Sequence, residues 1–347
     1  MNHTTSSPYQ FVRRLDFPYF FAKIIKKLGG SYEKIKKGDH IRIVSPSSSI
    51  ERVGGFEANL AAKEKLENLG FKLSFSEHYF ENDIFDSAPI SSRVADLEAA
   101  FADESVDAIL TTIGGFNCNE LLPYLDFDLI AQNPKIFCGY SDTTALLNAI
   151  YAKTGIQTYM GPSYSSFKMR EGQDYQTQAW LKAVTQDSFD LTPSPEWSSD
   201  AWYLPDAPRT FYPTEWKVYN PGQASGIAIG GNISTLNLLT GTEFAPRPDE
   251  YILFLEEAED DDYLIIARHL TALLQAYPNP QALVFGRFPK ETKMTEKILL
   301  AILDKHPILK TIPVLYDLDF AHTQPLFTIR IGGHVELDAE AFSIRFS

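Results

Sequence analysis

An α/β architecture with two domains and a mostly parallel principal sheet is what this sequence predicts. Three observations carry that expectation. Short apolar runs alternate with amphipathic helical segments from Asp39 to about Gly155. A second series of the same kind begins near Gly222. Between them, from about Phe167 to Asn220, the chain is rich in Trp, Tyr, Pro, Ser and Asp and loses that rhythm.

The elements follow in order. HIRIVSPSSSI reads as a buried strand and a Pro/Ser turn, and FEANLAAKEKLENLG as a helix stopped by Gly70. FKLSFSEHYF is a second strand, SSRVADLEAAFAD an amphipathic helix, and VDAILTTIGG an apolar strand ending in two glycines. CNELLPYLDFDLIAQNP is mostly helical, KIFCGYSD is a short strand, and TTALLNAIYAKTG is a helix. Strands alternating with helices imply a parallel sheet covered on both faces. The second block repeats the pattern with strands QASGIAIGGN, YILFLEE, QALVFGRF and IPVLYDLDFAH. Helices ISTLNLLTG, YLIIARHLTALLQA and TEKILLAILDKH separate them, and the end alternates like β-structure. The implied divisions are an N-terminal extension (1–38), a first α/β domain (39–166), a connecting region (167–221) and a second domain (222–347).

Bulk properties bound the function. A net charge of −14 argues against nucleic acid as the main partner, because phosphate backbones are bound by excess Lys and Arg. Only two cysteines, Cys118 and Cys138, are present, which suits a reducing compartment and a cytoplasmic location. No His/Cys cluster has zinc spacing, so no metal site is expected. No apolar run is long enough to span a bilayer. The N-terminal stretch mixes aromatic and basic residues, with a short helix expected near Phe20–Leu28. It reads as an arm packing on the body or on a second subunit.

Ligands of open α/β sheets bind beyond the carboxyl ends of the strands. Four places there carry reactive residues: Gly114–Gly115, Ser141, Glu256–Glu257 and His322. Ser141, in Gly139-Tyr140-Ser141-Asp142, sits where a strand turns into a helix, so backbone N–H groups there could stabilise an oxyanion. Thr143 stands where a G-x-S-x-G elbow has its second glycine, and Ser141 or Asp142 as a plain helix cap is the competing reading. Gly114–Gly115 lets the backbone approach a ligand closely or forms an ordinary turn. Glu256 could orient a histidine, with Glu257 easily mistaken for it. The acids that follow, Glu259 to Asp262, read as a solvated helix start. His322, after a strand, is the histidine best placed for a cleft, although a lone histidine is more often structural.

Together these segments resemble the LD-carboxypeptidase family of serine peptidases, and most of all its microcin C immunity branch. The resemblance runs from about Gly38 to Phe346. It rests on TTIGGFNCNELLPYLDFDLIAQNPKIFCGYSDTTALLNAIYAKTGIQTYMGPSYSSF, GIAIGGNISTLNLLTGTEFAP, ILFLEEAED and DFAHTQPLFTIRIGG. It implies a Rossmann-like N-terminal domain carrying the nucleophile, a smaller C-terminal α/β domain, and a homodimer. It further implies a triad of Ser141, Glu256 and His322, with the amides of Gly115 and Asp142 as oxyanion donors. The implied substrate is a small molecule, an aminoacyl nucleotide cleaved through an acyl-enzyme without a cofactor. A murein tetrapeptide is the alternative within the family, and a non-catalytic small-molecule binding protein is the alternative outside it. PEWSSDAWYLPD resembles the immunity branch's substrate loop, which makes Trp202 the leading base-stacking residue with Trp197 beside it. Packing of both tryptophans onto the body is the other reading. Asn232 and Gly114 match positions lining the site, and Asn232 either contacts substrate or shapes its turn. Phe116, Arg287, Gln324 and Arg330 depart from common family choices.

Overall fold

The computed structural model describes residues 34–204, 207–320 and 322–347. The arm and its short helix lie outside the described residues. Two sheets organise the rest. The first has six strands in the order Ile329–Ile331, Thr158–Met160, Ile136–Gly139, Ala108–Thr111, His40–Val44, Lys72–Phe75. Its last five strands are parallel, and Ile329–Ile331 pairs antiparallel with Thr158–Met160. His40–Val44 lies between Lys72–Phe75 and Ala108–Thr111, both of which follow it in the chain, so the direction of strand progression reverses there and the topological switch falls between His40–Val44 and Ala108–Thr111.

The second sheet has eight strands. Its centre, Gln223–Asn232, Tyr251–Glu256, Ala282–Gly286 and Val314–Leu318, is parallel. Antiparallel strands flank it on both sides. The central strands are buried along nearly their whole length, which is why ILFL and ALVFG read as unbroken apolar runs rather than alternating ones.

Helix ends follow local chemistry. Asp262 caps helix Tyr263–Ala276 by accepting from the amides of Leu264 and Ile265, so the acidic run is a helix start as expected. Thr295 caps Glu296–Leu303 in the same way. The segment from Cys118 is less helical than its composition suggests. A single 3-10 turn, Cys118–Leu121, precedes a short helix, Phe127–Gln132, because Asp126 caps a new start. Strand Thr158–Met160 has no counterpart in the sequence reading. It is only three residues long and fully buried, too short for a periodicity to register.

One continuous apolar core runs through both sheets. Helix Thr144–Thr154 is its hinge pin. Its Asn148 donates to Gly230 O at 2.7 Å and accepts from Gly230 N at 3.2 Å. Thr144 Oγ1 accepts from Asn232 N at 3.0 Å. These buried bonds fix the strand carrying Asn232, and its register neighbour Glu256, against the helix that begins after Ser141. Both cysteines are free and buried. Among the described residues, no helix is long and apolar enough to cross a membrane.

Candidate active site

Strand Ile136–Gly139 leads through buried Tyr140 to Ser141. Ser141 has φ 63°, in the left-handed region that residues with a Cβ seldom occupy. Such a conformation costs on the order of 1–3 kcal/mol and persists only where its surroundings fix it. The turn Ser141–Thr143 and helix Thr144–Thr154 follow at once, so the hydroxyl stands at the head of a helix.

Neither Ser141 nor Asp142 caps that helix. Ser141 Oγ lies 3.0 Å from His322 Nε2, and His322 Nδ1 lies 2.7 Å from Glu256 Oε2. A carboxylate can only accept, so the neutral imidazole carries its hydrogen on Nδ1 and turns a lone pair toward the serine. Burial opposes charge on His322. The charge and hydrogen bond of Glu256 outweigh it, aided by Glu259 and Glu257, and the imidazole is raised to about 9. Glu256 is fully buried, and its Oε1 has no hydrogen-bond partner among the described residues. Residues 141, 256 and 322, from three distant segments, therefore form one hydrogen-bonded chain.

The glycine pair stands beside it. A Cβ on Gly114 would lie 2.7 Å from Ser141 Cβ and 2.8 Å from its Oγ, so no larger residue fits without moving the serine. A Cβ on Gly115 would lie 2.4 Å from the hydroxyls of both Ser47 and Ser48. The Asp142 side chain holds this floor together. Its Oδ2 accepts from Ser47 Oγ at 2.5 Å, Asn117 N at 2.9 Å and Cys118 N at 2.8 Å. One buried oxygen thus ties the loops after strands His40–Val44, Ala108–Thr111 and Ile136–Gly139. The Pro/Ser run after the first strand was the sequence signal for Ser47, and nothing in the sequence pointed to Tyr140. That ring packs 5.4 Å from the His322 ring.

His322 is held from below. Buried Asp319 accepts from Arg287 Nη1 at 3.1 Å, Trp216 Nε1 at 2.8 Å and Ser194 N at 3.0 Å. Gln324 exchanges two backbone hydrogen bonds with Ser198, of 2.8 and 2.9 Å. The aromatic connecting loop is therefore stitched to the histidine segment two residues from the imidazole. Arg287, a departure from the family pattern, is part of this support rather than a surface cation.

Glu256 and Glu257 part cleanly. Glu257 Oε1 accepts from Asn232 Nδ2 at 2.6 Å, and its Oε2 from Ser234 N at 3.1 Å. Burial first, and then the charge of Glu256, push Glu257 up to about 7. Asn232 also caps its own short helix, accepting from Thr235 N at 3.0 Å and from the Ser234 and Thr235 hydroxyls. Both ends of its amide are engaged within the chain, the arrangement of a turn-shaping residue. In a separate grouping, Glu257, Asp261 and His269 bring candidate ligand atoms within 4.8 Å of one another.

The two loop tryptophans differ. The Arg287 guanidinium lies 4.5 Å from the Trp197 ring centroid, and Tyr212 packs at 5.2 Å. Trp197, Ser199, Asp200, Thr210, Tyr212 and Lys290 line an open cavity of about 270 Å³. Trp202 is half-buried, edge-on to Tyr203 at 5.8 Å, and outside that lining.

Known proteins agree with this picture at the level of the family. YocD of Bacillus subtilis, named as a carboxypeptidase, is 45% identical over 310 residues, covering 88% of this chain and 95% of its own. The microcin C7 self-immunity protein MccF of Escherichia coli is 30% identical over 328 residues, covering 86% of this chain and 94% of its own. A solved MccF-like protein from Bacillus anthracis str. Ames matches with a TM-score of 0.87 at 44% identity, covering 90% of this chain and 98% of that one. MccF in complex with aspartyl sulfamoyl adenosine matches at 0.83 and 30% identity, covering 91% of this chain and 97% of that one. The LD-carboxypeptidase N-terminal domain matches residues 41–161 and the C-terminal domain residues 225–337, and the chain belongs to the LD-carboxypeptidase family.

Proposed function

We propose that this serine hydrolase cleaves an aminoacyl nucleotide through a Ser141–His322–Glu256 triad. The observation that carries the reading is the continuous hydrogen-bonded chain from hydroxyl to imidazole to buried carboxylate. His322 Nε2 takes the proton of Ser141 Oγ as that oxygen attacks the substrate carbonyl. Glu256 holds the ring in the required tautomer and stabilises the imidazolium that forms. The amides of Gly115 and Asp142 donate to the oxyanion, each contributing on the order of 3–4 kcal/mol to the transition state. His322 then returns the proton to the leaving group, and water releases the acyl-enzyme by the same route.

The nucleotide preference rests on the aromatic loop, anchored beside His322 through Ser198 and Gln324, and on similarity to MccF, whose solved complex holds aspartyl sulfamoyl adenosine. An aromatic face stacks on a base with about 1–3 kcal/mol. The cavity beside Trp197 offers such a face together with Lys290 and Asp200. Murein tetrapeptide is the competing substrate.

Paired kinetics test both levels. Wild type is expected to hydrolyse aminoacyl sulfamoyl adenosine faster than murein tetrapeptide, and Ser141→Ala to hydrolyse neither. Equal rates for mutant and wild type on both substrates would remove the nucleophile. A preference for the tetrapeptide would leave the triad and overturn the nucleotide assignment.

A further inference from the structure

Behind the glutamate that faces His322 lies a second group of titratable side chains that the proposed reaction does not use. Glu257 ends the run of strand Tyr251–Glu256, Asp261 sits in the following turn, and His269 projects from helix Tyr263–Ala276. One candidate ligand atom from each lies within 4.8 Å of the other two. Ligands on opposite sides of a first-row metal stand about 4.2 Å apart, twice a bond of roughly 2.1 Å, so small side-chain rotations close the set.

The hydrogen bonding within this group adds a second feature. His269 Nδ1 is shielded from solvent and has no hydrogen-bond partner among the described residues. Its nearest acid, Asp261 Oδ2, is 3.7 Å away, too far for a hydrogen bond. Glu257 is 1% exposed and directly follows the fully buried Glu256. No lysine or arginine forms an ion pair with Glu257 or Asp261 among the described residues; the basic side chain beside them is the His269 imidazole, 3.7 Å from Asp261. Two carboxylates and an unpartnered imidazole nitrogen therefore converge without a cation of the chain between them. Asn232 and Ser234 orient the Glu257 carboxylate from behind, as outer-sphere donors orient metal ligands. Asp261 and His269 are partly open to solvent, which leaves room for water to complete a coordination sphere.

We propose that Glu257, Asp261 and His269 bind one divalent transition-metal cation. A mixed imidazole and carboxylate set suits zinc or manganese better than an all-oxygen cation such as calcium. The cation would hold the turn after strand Tyr251–Glu256 to the helix that follows, one residue from the carboxylate facing His322. The site does not depend on Ser141 being the nucleophile.

The test uses the full chain, stripped with a chelator and titrated calorimetrically with Zn²⁺ or Mn²⁺. Co²⁺ serves as a spectroscopic probe of nitrogen and oxygen ligation. Expected are one equivalent bound per chain and a rise in thermal midpoint with the ion. Asp261→Asn and His269→Gln are each expected to weaken binding by roughly 10- to 100-fold, the range that even outer-sphere changes produce. Ser141→Ala should bind as wild type does. Absence of saturable binding by wild type overturns the site whatever the variants do. Wild-type affinity in either variant overturns the three-ligand set.

Discussion

The reactive centre and the aromatic connecting loop lie side by side and are built on opposite plans. At the centre a few short hydrogen bonds fix the key side chains in place. Ser141 is pinned in a left-handed conformation, His322 is bonded on both nitrogens, and Asp142 closes three loops with one oxygen. The loop has its own small strand pair, Glu196–Trp197 with Tyr212–Pro213, and a two-bond stitch at Ser198–Gln324. Its large side chains are partly open, with Tyr203, Leu204 and Tyr212 about half exposed. The difference teaches where precision is needed. Proton transfer demands a fixed geometry near 3 Å, whereas stacking tolerates adjustment. Under the proposed function the centre would set the chemistry and the loop the choice of substrate.

The contrast can be broken at its strongest point first. Ser141→Ala should lower kcat by about 10⁴-fold or more while leaving the thermal midpoint within a few degrees, since removing one member of a triad disables the unit. Glu256→Gln is the companion experiment and addresses pH. The general base must be neutral, and His322 is raised to about 9, so kcat/KM should climb as pH rises through that value. Replacing the Glu256 charge should move this limb to lower pH and cut kcat severely. A limb that stays in place in the variant would detach His322 from Glu256.

Gly114→Ala probes fit rather than chemistry. The added methyl would press on Ser141 Cβ and Oγ, and a displaced nucleophile should lose roughly 10²-fold in kcat, as small misplacements do. Normal activity would show that the serine has more freedom than its packing implies. Arg287→Ala tests the seam between the regions. It removes a cation–π contact from Trp197 and leaves Asp319 buried without its cation, which typically destabilises by about 3–5 kcal/mol. The readouts are the unfolding free energy and kcat together.

The smallest effects belong to the loop and sharpen the comparison most. Trp202→Ala and Trp197→Ala should each be assayed on aminoacyl sulfamoyl adenosine and murein tetrapeptide. Loss of a base stack corresponds to about 1–3 kcal/mol, or roughly 5- to 150-fold in KM for the nucleotide alone. Equal losses on both substrates would assign that tryptophan to packing the loop.

Much of this organisation was legible in the residues. Apart from the short strand Thr158–Met160, the strand and helix order held because buried parallel strands write themselves as apolar runs between helical segments. The candidate residues after strand ends were legible for a topological reason: parallel sheets gather their carboxyl ends on one side. Other features were hidden. The competing helix-cap reading of Ser141 could not be settled from its neighbours, because the partner that engages the hydroxyl is His322, 181 residues away. Asn232 matches a position lining the site and was open to contacting substrate or shaping its turn; that its amide engages Glu257 and its own helix is a tertiary fact the local sequence does not carry.

Sequence alone determined the α/β class, most of the order of elements and a short roster of candidate site side chains, since these follow from local periodicity and from residue chemistry. Tertiary structure alone decided which glutamate faces the histidine, that Asp142 is a knot rather than a cap, and that the aromatic loop is fastened next to His322. The physical reason is that these are contacts between segments far apart in the chain. Direction and distance between such segments are fixed by how the two sheets dock through helix Thr144–Thr154, and no local pattern encodes that docking.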